Sequence, residues 1–94
     1  MNIEQIEHGS KGAFIIKENN QRLAEMTYSR AGDSLIIIDH TEVSDALRGK
    51  GAGKQLVSAA VNYAREKKIK ILPLCPFARA VFDKTPAFSD VLNT

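Results

Sequence analysis

The sequence holds one cysteine, no tryptophan, three prolines and two histidines among 94 residues. A single cysteine cannot close an internal disulfide, and with only two histidines it is a poor donor set for a structural zinc, so no metal site is expected. No apolar run approaches the ~20 residues of a membrane-spanning helix. The opening stretch, MNIEQIEHGSKG, has no basic segment followed by an apolar one, so no secretory signal is expected. Repeats, low-complexity tracts and linkers are missing as well. With 44% apolar and 26% charged residues, the chain is too apolar for disorder and too short for two cores. These absences describe one domain over residues 1–94, cytoplasmic, with no membrane partner and no sign of an oligomer, so a monomer is expected.

The net charge of +2 hides a segregation. Between Arg48 and Lys70 there are seven basic residues against one acid, a balance of +6, while the remainder carries −4. Such a patch points to an anionic ligand. A cationic last helical turn accounts for Arg65, Lys67 and Lys68. It leaves Arg48, Lys50 and Lys54 to be explained.

The first half of the chain reads as strands. Gly12 to Lys17 is short and apolar, and Asn19-Asn20 follows where a tight hairpin would turn. From Gln21 to Arg30, Ala24, Met26 and Tyr28 alternate with Glu25, Thr27 and Ser29, the pattern of a half-buried strand. Ser34 to Asp39 is a continuous apolar run, as in a central strand covered on both faces, continuing to Val43. The period then changes. From Ala52 to Lys67, Val57, Ala60, Val61 and Ala64 recur at helical spacing, with Leu56 widening the stripe. Ile69 to Leu74 returns to a strand that Pro73 interrupts near its end. Cys75-Pro76 opens a short helix to about Asp83, with Phe77, Val81 and Phe82 as its inner stripe. The tail from Ala87 to Thr94 has no clear pattern. The fold class is α+β: an antiparallel meander running into one right-handed βαβ unit, a mixed sheet plus a short C-terminal helix.

The most informative segment is Arg48-Gly49-Lys50-Gly51-Ala52-Gly53-Lys54, at the entry to the long helix. Three glycines in five residues are costly unless the backbone must approach something closely. Unpaired N–H groups at a helix start, with the positive end of its dipole, form an anion site. Arg48, Lys50 and Lys54 add full charges; the plain alternative is a flexible connector. A Walker loop is excluded, because neither Gly-Lys pair has the upstream glycine and no hydroxyl follows to hold magnesium. A dinucleotide fingerprint would need glycine where Lys54 stands. What matches is Arg-x-x-Gly-x-Gly, read as Arg48, Gly51 and Gly53.

On that motif, the strand before it, and Leu72-Pro73-Leu74-Cys75-Pro76-Phe77 after the helix, the chain resembles the GNAT acetyltransferase superfamily. In its short length it is similar to the group of small GNAT-like N-acetyltransferase domain proteins. The likeness covers about Leu35 to Phe82. It implies acetyl-CoA as co-substrate, its pyrophosphate on the backbone of Arg48, Gly49, Lys50, Gly51, Ala52 and Gly53, with nearby cations such as Lys54 on the remaining phosphate. The pantetheine arm would lie between splayed parallel strands beside Thr41, Glu42 and Val43. The resemblance also implies an amine acceptor, a small molecule or a protein lysine. The departures are a two-residue turn where longer members carry helices, about a dozen residues after Phe82, and no tyrosine in the last helix.

Three residues are candidates for chemistry. Cys75 would stand at the end of the second splayed strand and the start of a helix, where a thiol ionises more readily and faces the expected thioester. It could accept the acyl group, donate a proton in place of the usual tyrosine, or be an inert buried thiol. His40 and Glu42, two apart at the end of the first splayed strand, share a face and could take a proton from an amine. Alternatively they only cap the strand and offset lysines. Asp39 and Thr41 would face the other way, and Asp45 shapes the loop. The leading function is an acyl-CoA-dependent N-acetyltransferase acting on a primary amine. The alternative is an acetyl-CoA or CoA-binding module without turnover. Nucleic-acid binding is not expected, because glycines stand where a recognition helix would begin.

Overall fold

The computed structural model describes residues 2–93. Five strands, β1 (Ile3–His8), β2 (Lys11–Glu18), β3 (Gln21–Arg30), β4 (Leu35–Val43) and β5 (Lys70–Pro73), lie in spatial order 1-2-3-4-5. The first four pair antiparallel and β5 pairs parallel to β4, so the chain crosses over through helix α1 (Ala52–Lys67). Helix α2 (Pro76–Lys84) follows β5, and a short 3-10 segment spans Pro86–Val91.

The expected meander and crossover are present, and local chemistry explains them. Asn19 and Asn20 both take positive φ, 52° and 64°, the conformation a two-residue hairpin turn demands and asparagine tolerates. On α1 the apolar stripe Leu56, Val57, Ala60, Val61 and Ala64 is fully buried. It meets Ile16, Met26, Tyr28, Ile36, Ile38 and Ile71 from the sheet and Ala78 and Phe82 from α2 in one core cluster. Each buried Leu or Val contributes on the order of 1.5–3 kcal/mol.

β1 has no counterpart among the expected elements. Its inward residues, opposite Ile16, Phe14 and Gly12, are Ile3, Gln5 and Glu7. The two polar ones are recruited by a buried phenol. Tyr28 Oη donates to Glu7 Oε2 at 2.7 Å and accepts from Gln5 Nε2 at 2.8 Å, while Arg30 Nε donates to the same carboxylate at 3.1 Å. Burial, then the bond to Glu7, push the Tyr28 phenol up to about 12. Gly12 leaves room for the ring: a Cβ there would lie 2.4 Å from Tyr28 Cζ.

The central strand is not covered on both faces, contrary to its apolar run. Ile36 and Ile38 are sealed, whereas Leu35 and Ile37 are half-buried. Both helices join the core on the Ile36 and Ile38 side; no helix among the described residues covers the other sheet face, where Ala13 and Ile15 are nonetheless buried. The final strand is shorter than Ile69 to Leu74, since its ladder stops at Pro73. The tail, without a pattern in the sequence, is tied down by contacts remote from it in the chain. Arg65 forks onto Asp90 at 2.9 and 2.8 Å, and Leu92 makes a parallel bridge with Ile71 on the outer edge of β5. Thr94 lies outside the described residues.

Candidate active site

The connection from β4 to α1 folds in two steps. Ser44 Oγ accepts from the Ala46 N–H at 3.2 Å and starts a single 3-10 turn, Asp45–Leu47, which buries Leu47. Two glycines with positive φ follow, Gly49 at 79° and Gly51 at 69°. Gly51 is the N-cap of α1, and no side chain caps it. Gln55 N–H to Gly51 C=O, 3.0 Å, is the bond that opens the ladder, so the N–H groups of Ala52, Gly53 and Lys54 have no helical acceptor. Lys50 and Lys54 are exposed beside this positive end. Arg48 is exposed too, and shares its charge with Asp45 at 2.9 Å.

The three glycines do not serve one purpose. Gly49 and Gly51 satisfy a left-handed backbone with open space around them. Gly53 is buried, and a Cβ on it would sit 2.2 Å from Phe77 Cζ. It is a packing glycine that brings the start of α2 against the start of α1. Phe77 is accordingly not part of the inner stripe: it is 44% exposed and lies over Gly53, while Ala78 and Phe82 face the core.

Beside this turn β4 and β5 part. Their pairing ends at Ile38 and Pro73, where the Ile38 carbonyl accepts from both Leu74 N–H (3.0 Å) and Cys75 N–H (3.1 Å). At the same point β4 has a bulge. Tyr28 stands opposite Ile38 and Thr27 opposite His40, which leaves Asp39 as the extra residue. Beyond it β4 stays paired with β3 while β5 turns away into α2. Ser44 N–H donates to Leu23 C=O at 2.7 Å. Antiparallel alternation therefore points the N–H and C=O groups of Thr41 and Val43 away from β3, into the opening.

The bulge also resets which side chains share a face. Thr41 stands opposite Met26, on the helix side, and Glu42 opposite Glu25, on the open side. His40 and Glu42 do share a face, with His40 Nε2 3.3 Å from Glu42 Oε1 and both well exposed. Asp39 does not pair with Thr41 as simple alternation predicts; Ser29 Oγ donates to its carboxylate at 3.3 Å.

Cys75 is the N-cap of α2, followed by Pro76 in the first turn, and it is 5% exposed. While protonated, its Sγ–H donates to Thr41 Oγ1 at 3.2 Å; once the thiolate forms, the same hydroxyl rotates to donate to sulfur. Burial pushes the thiol up, but hydrogen bonds from the Thr41 hydroxyl and from the N–H groups of Ala78, Phe77 and Thr41 outweigh it. The net effect holds Cys75 below the ordinary thiol range. The fold thus brings Cys75, Thr41 and, through Phe77, the first turn of α1 to one opening, and sets His40 and Glu42 on the other side of β4. Sequence reasoning reached Thr41 only through its backbone; its side-chain role depends on the bulge. A recess of about 260 Å³, lined by Arg22, Glu25, Glu42, Val43 and Ser44 among others, lies at this end of β3 and β4. Among the described residues no group of three or more metal-ligating side chains gathers, and no helix is long and apolar enough to cross a membrane.

The comparisons with known proteins agree with this geometry. The family model for GCN5-related N-acetyltransferases matches residues 13–91. Protein NATD1 of chicken (Gallus gallus) is 31% identical over 84 residues, covering 87% of this chain and 76% of that protein. The solution structure of a GCN5-like protein from Staphylococcus aureus is 41% identical, with a TM-score of 0.72 over 98% of this chain and 89% of that one. The crystal structure of a predicted acetyltransferase from Clostridium acetobutylicum, with acetyl-CoA, gives a TM-score of 0.63 over 80% of this chain and 56% of that one. At 23% identity, that last likeness is one of fold alone.

Proposed function

The chain belongs to the GCN5-related N-acetyltransferase family, whose reaction draws on acetyl-CoA, and we propose that it moves the acetyl group to a primary amine by way of Cys75. The observation that carries this reading is the buried Cys75 thiol at the mouth of two parted parallel strands, next to an uncapped helix start. The free N–H groups of Ala52, Gly53 and Lys54, with the left-handed turn Gly49 to Gly51, take the pyrophosphate, and Arg48, Lys50 and Lys54 add charge. Thr41 and Val43 offer the pantetheine arm a strand edge. Those roles need only backbone geometry and positive charge, both of which are in place.

In the chemical step the Cys75 thiolate attacks the thioester carbonyl carbon. A new C–S bond forms to Cys75, the old one breaks, and coenzyme A leaves as its thiolate, which takes a proton from solvent. The amine nitrogen then attacks the acetyl carbon, the bond to Cys75 breaks, and the thiolate is restored. The proton that the amine loses reaches Glu42 or His40 by way of water, since both lie on the other side of β4 from the thiol. The lowered thiol supports this route, because the thiolate is the nucleophile.

A second reading, a coenzyme-binding module without turnover, is favoured by one feature. A two-residue turn, Asn19-Asn20, joins β2 to β3, so no helix stands between these strands to enclose an acceptor. Titration with acetyl-CoA, followed by amide shifts, should move residues 41–43 and 49–54. Release of free coenzyme A with a panel of primary amines should follow, and Cys75→Ala should abolish it. Binding without release establishes the module. No shift at millimolar acetyl-CoA removes both readings, and full turnover by Cys75→Ala removes the covalent route.

A further inference from the structure

We infer that Thr41 is the positioning residue of Cys75, its hydroxyl fixing the thiol at the opening between β4 and β5 and supporting it in the thiolate form. The inference rests on the reading of Cys75 given above, and it assigns to the Thr41 side chain a task separate from that of its backbone. Three observations converge on it. The Thr41 hydroxyl and the Cys75 sulfur are 3.2 Å apart, across 34 residues of sequence. Thr41 is half-buried and Cys75 almost fully so, which limits competition from water. With Asp39 in the strand, the contact depends on its being bulged out of the pairing: the same residues without the bulge would direct Thr41 to the open face.

No charged group takes the same place. His40 and Glu42 pair with each other on the opposite side of β4, and Asp39 is bonded to Ser29. β3 presents Met26 and Ala24 to the helix side. From α1 the first-turn cation is Lys54, exposed, and from α2 it is Arg79, half-buried. The groups that meet the sulfur are the Thr41 hydroxyl and backbone N–H groups. A substitution cannot remove the backbone donors, whereas the hydroxyl can be removed without changing side-chain shape, as in Thr41→Val.

The test reads the thiol directly and needs no coenzyme. Alkylation of Cys75 by iodoacetamide, followed by intact mass across pH, gives the midpoint of thiolate formation. In Thr41→Val that midpoint should rise by about one to two pH units, with alkylation at neutral pH about tenfold or more slower, and Thr41→Ser should restore the wild-type profile. If Thr41→Val does not fold, Thr41→Ala gives the same reading. A folded Val or Ala variant that titrates like the wild type overturns the assignment, as does a Ser variant shifted as far as Val. Failure of the wild type to bind acetyl-CoA is a separate result: it removes the acetyl-transfer reading and leaves the alkylation outcome to decide Thr41.

Discussion

The sharpest consequence of the helix start concerns Gly51. Its φ of 69° lies where an L side chain costs about 1 kcal/mol, and a Cβ built there meets nothing within 4 Å. Gly51→Ala should therefore fold, with a melting temperature roughly 4–8 °C lower, the shift expected of about 1 kcal/mol in a domain of this size. Affinity should suffer more. If the pyrophosphate rests on the amides that follow Gly51, a methyl group at its edge forces the anion off at least one of them. A charge-assisted hydrogen bond contributes about 1.5–3 kcal/mol, so the dissociation constant should rise about ten- to a hundredfold. Gly32 supplies the control, because it has the same kind of backbone, φ 73° with open space around it, in the turn before β4. Gly32→Ala should lose similar stability and leave affinity unchanged. The assay is calorimetric titration with acetyl-CoA, beside thermal melts of both variants. A Gly51→Ala protein that melts as expected and binds within twofold of the wild type refutes the placement of the anion.

Two further expectations concern the frame that holds the site. Gly12→Ala should cost about 2–4 kcal/mol in urea denaturation, because its Cβ meets Tyr28 Cζ at 2.4 Å, Tyr28 Oη at 2.5 Å and the Ile6 carbonyl at 2.9 Å, and Tyr28 is anchored to Glu7 and Gln5; a loss below about 1 kcal/mol would show that the ring gives way freely. With the Tyr28 phenol raised to about 12 by burial and by Glu7, the folded state holds that proton longer than the unfolded chain does. Stability linked to it is complete below about pH 10 and is lost between about pH 10 and 12, an effect of about 2–3 kcal/mol. Ultraviolet titration of Tyr28→Phe against the wild type isolates the group, and a phenolate at Tyr28 already formed near pH 10 would contradict the burial argument.

What was legible in the residues was whatever repeats. The α1 stripe from Leu56 to Ala64 gave the helix its boundaries, and the alternation Ala24, Met26, Tyr28 gave β3 its buried face. β1 was illegible because its inward positions, Gln5 and Glu7, are polar for the sake of a tyrosine 21 or more residues away. Gly53 was read with the other glycines of the turn because a sequence does not distinguish a glycine that curves the backbone from one that admits a distant ring. The start of α1 after a glycine turn was legible from the spacing of the glycines and the stripe that follows. Thr41 was not, since the bulge depends on pairing between β3 and β4 and carries no local motif.

The bulge at Asp39 acts as a counter for everything downstream in β4. Flatten it, with Asp39 taking a place of its own opposite Thr27, and the same letters His40, Thr41, Glu42 exchange sides. The His40 side chain would then stand opposite Met26, where the hydroxyl now meets sulfur, and Thr41 would lie on the far face. Which side chain the Cys75 sulfur meets is therefore settled as much by how β3 and β4 pair ahead of Thr41 as by which residues β4 holds.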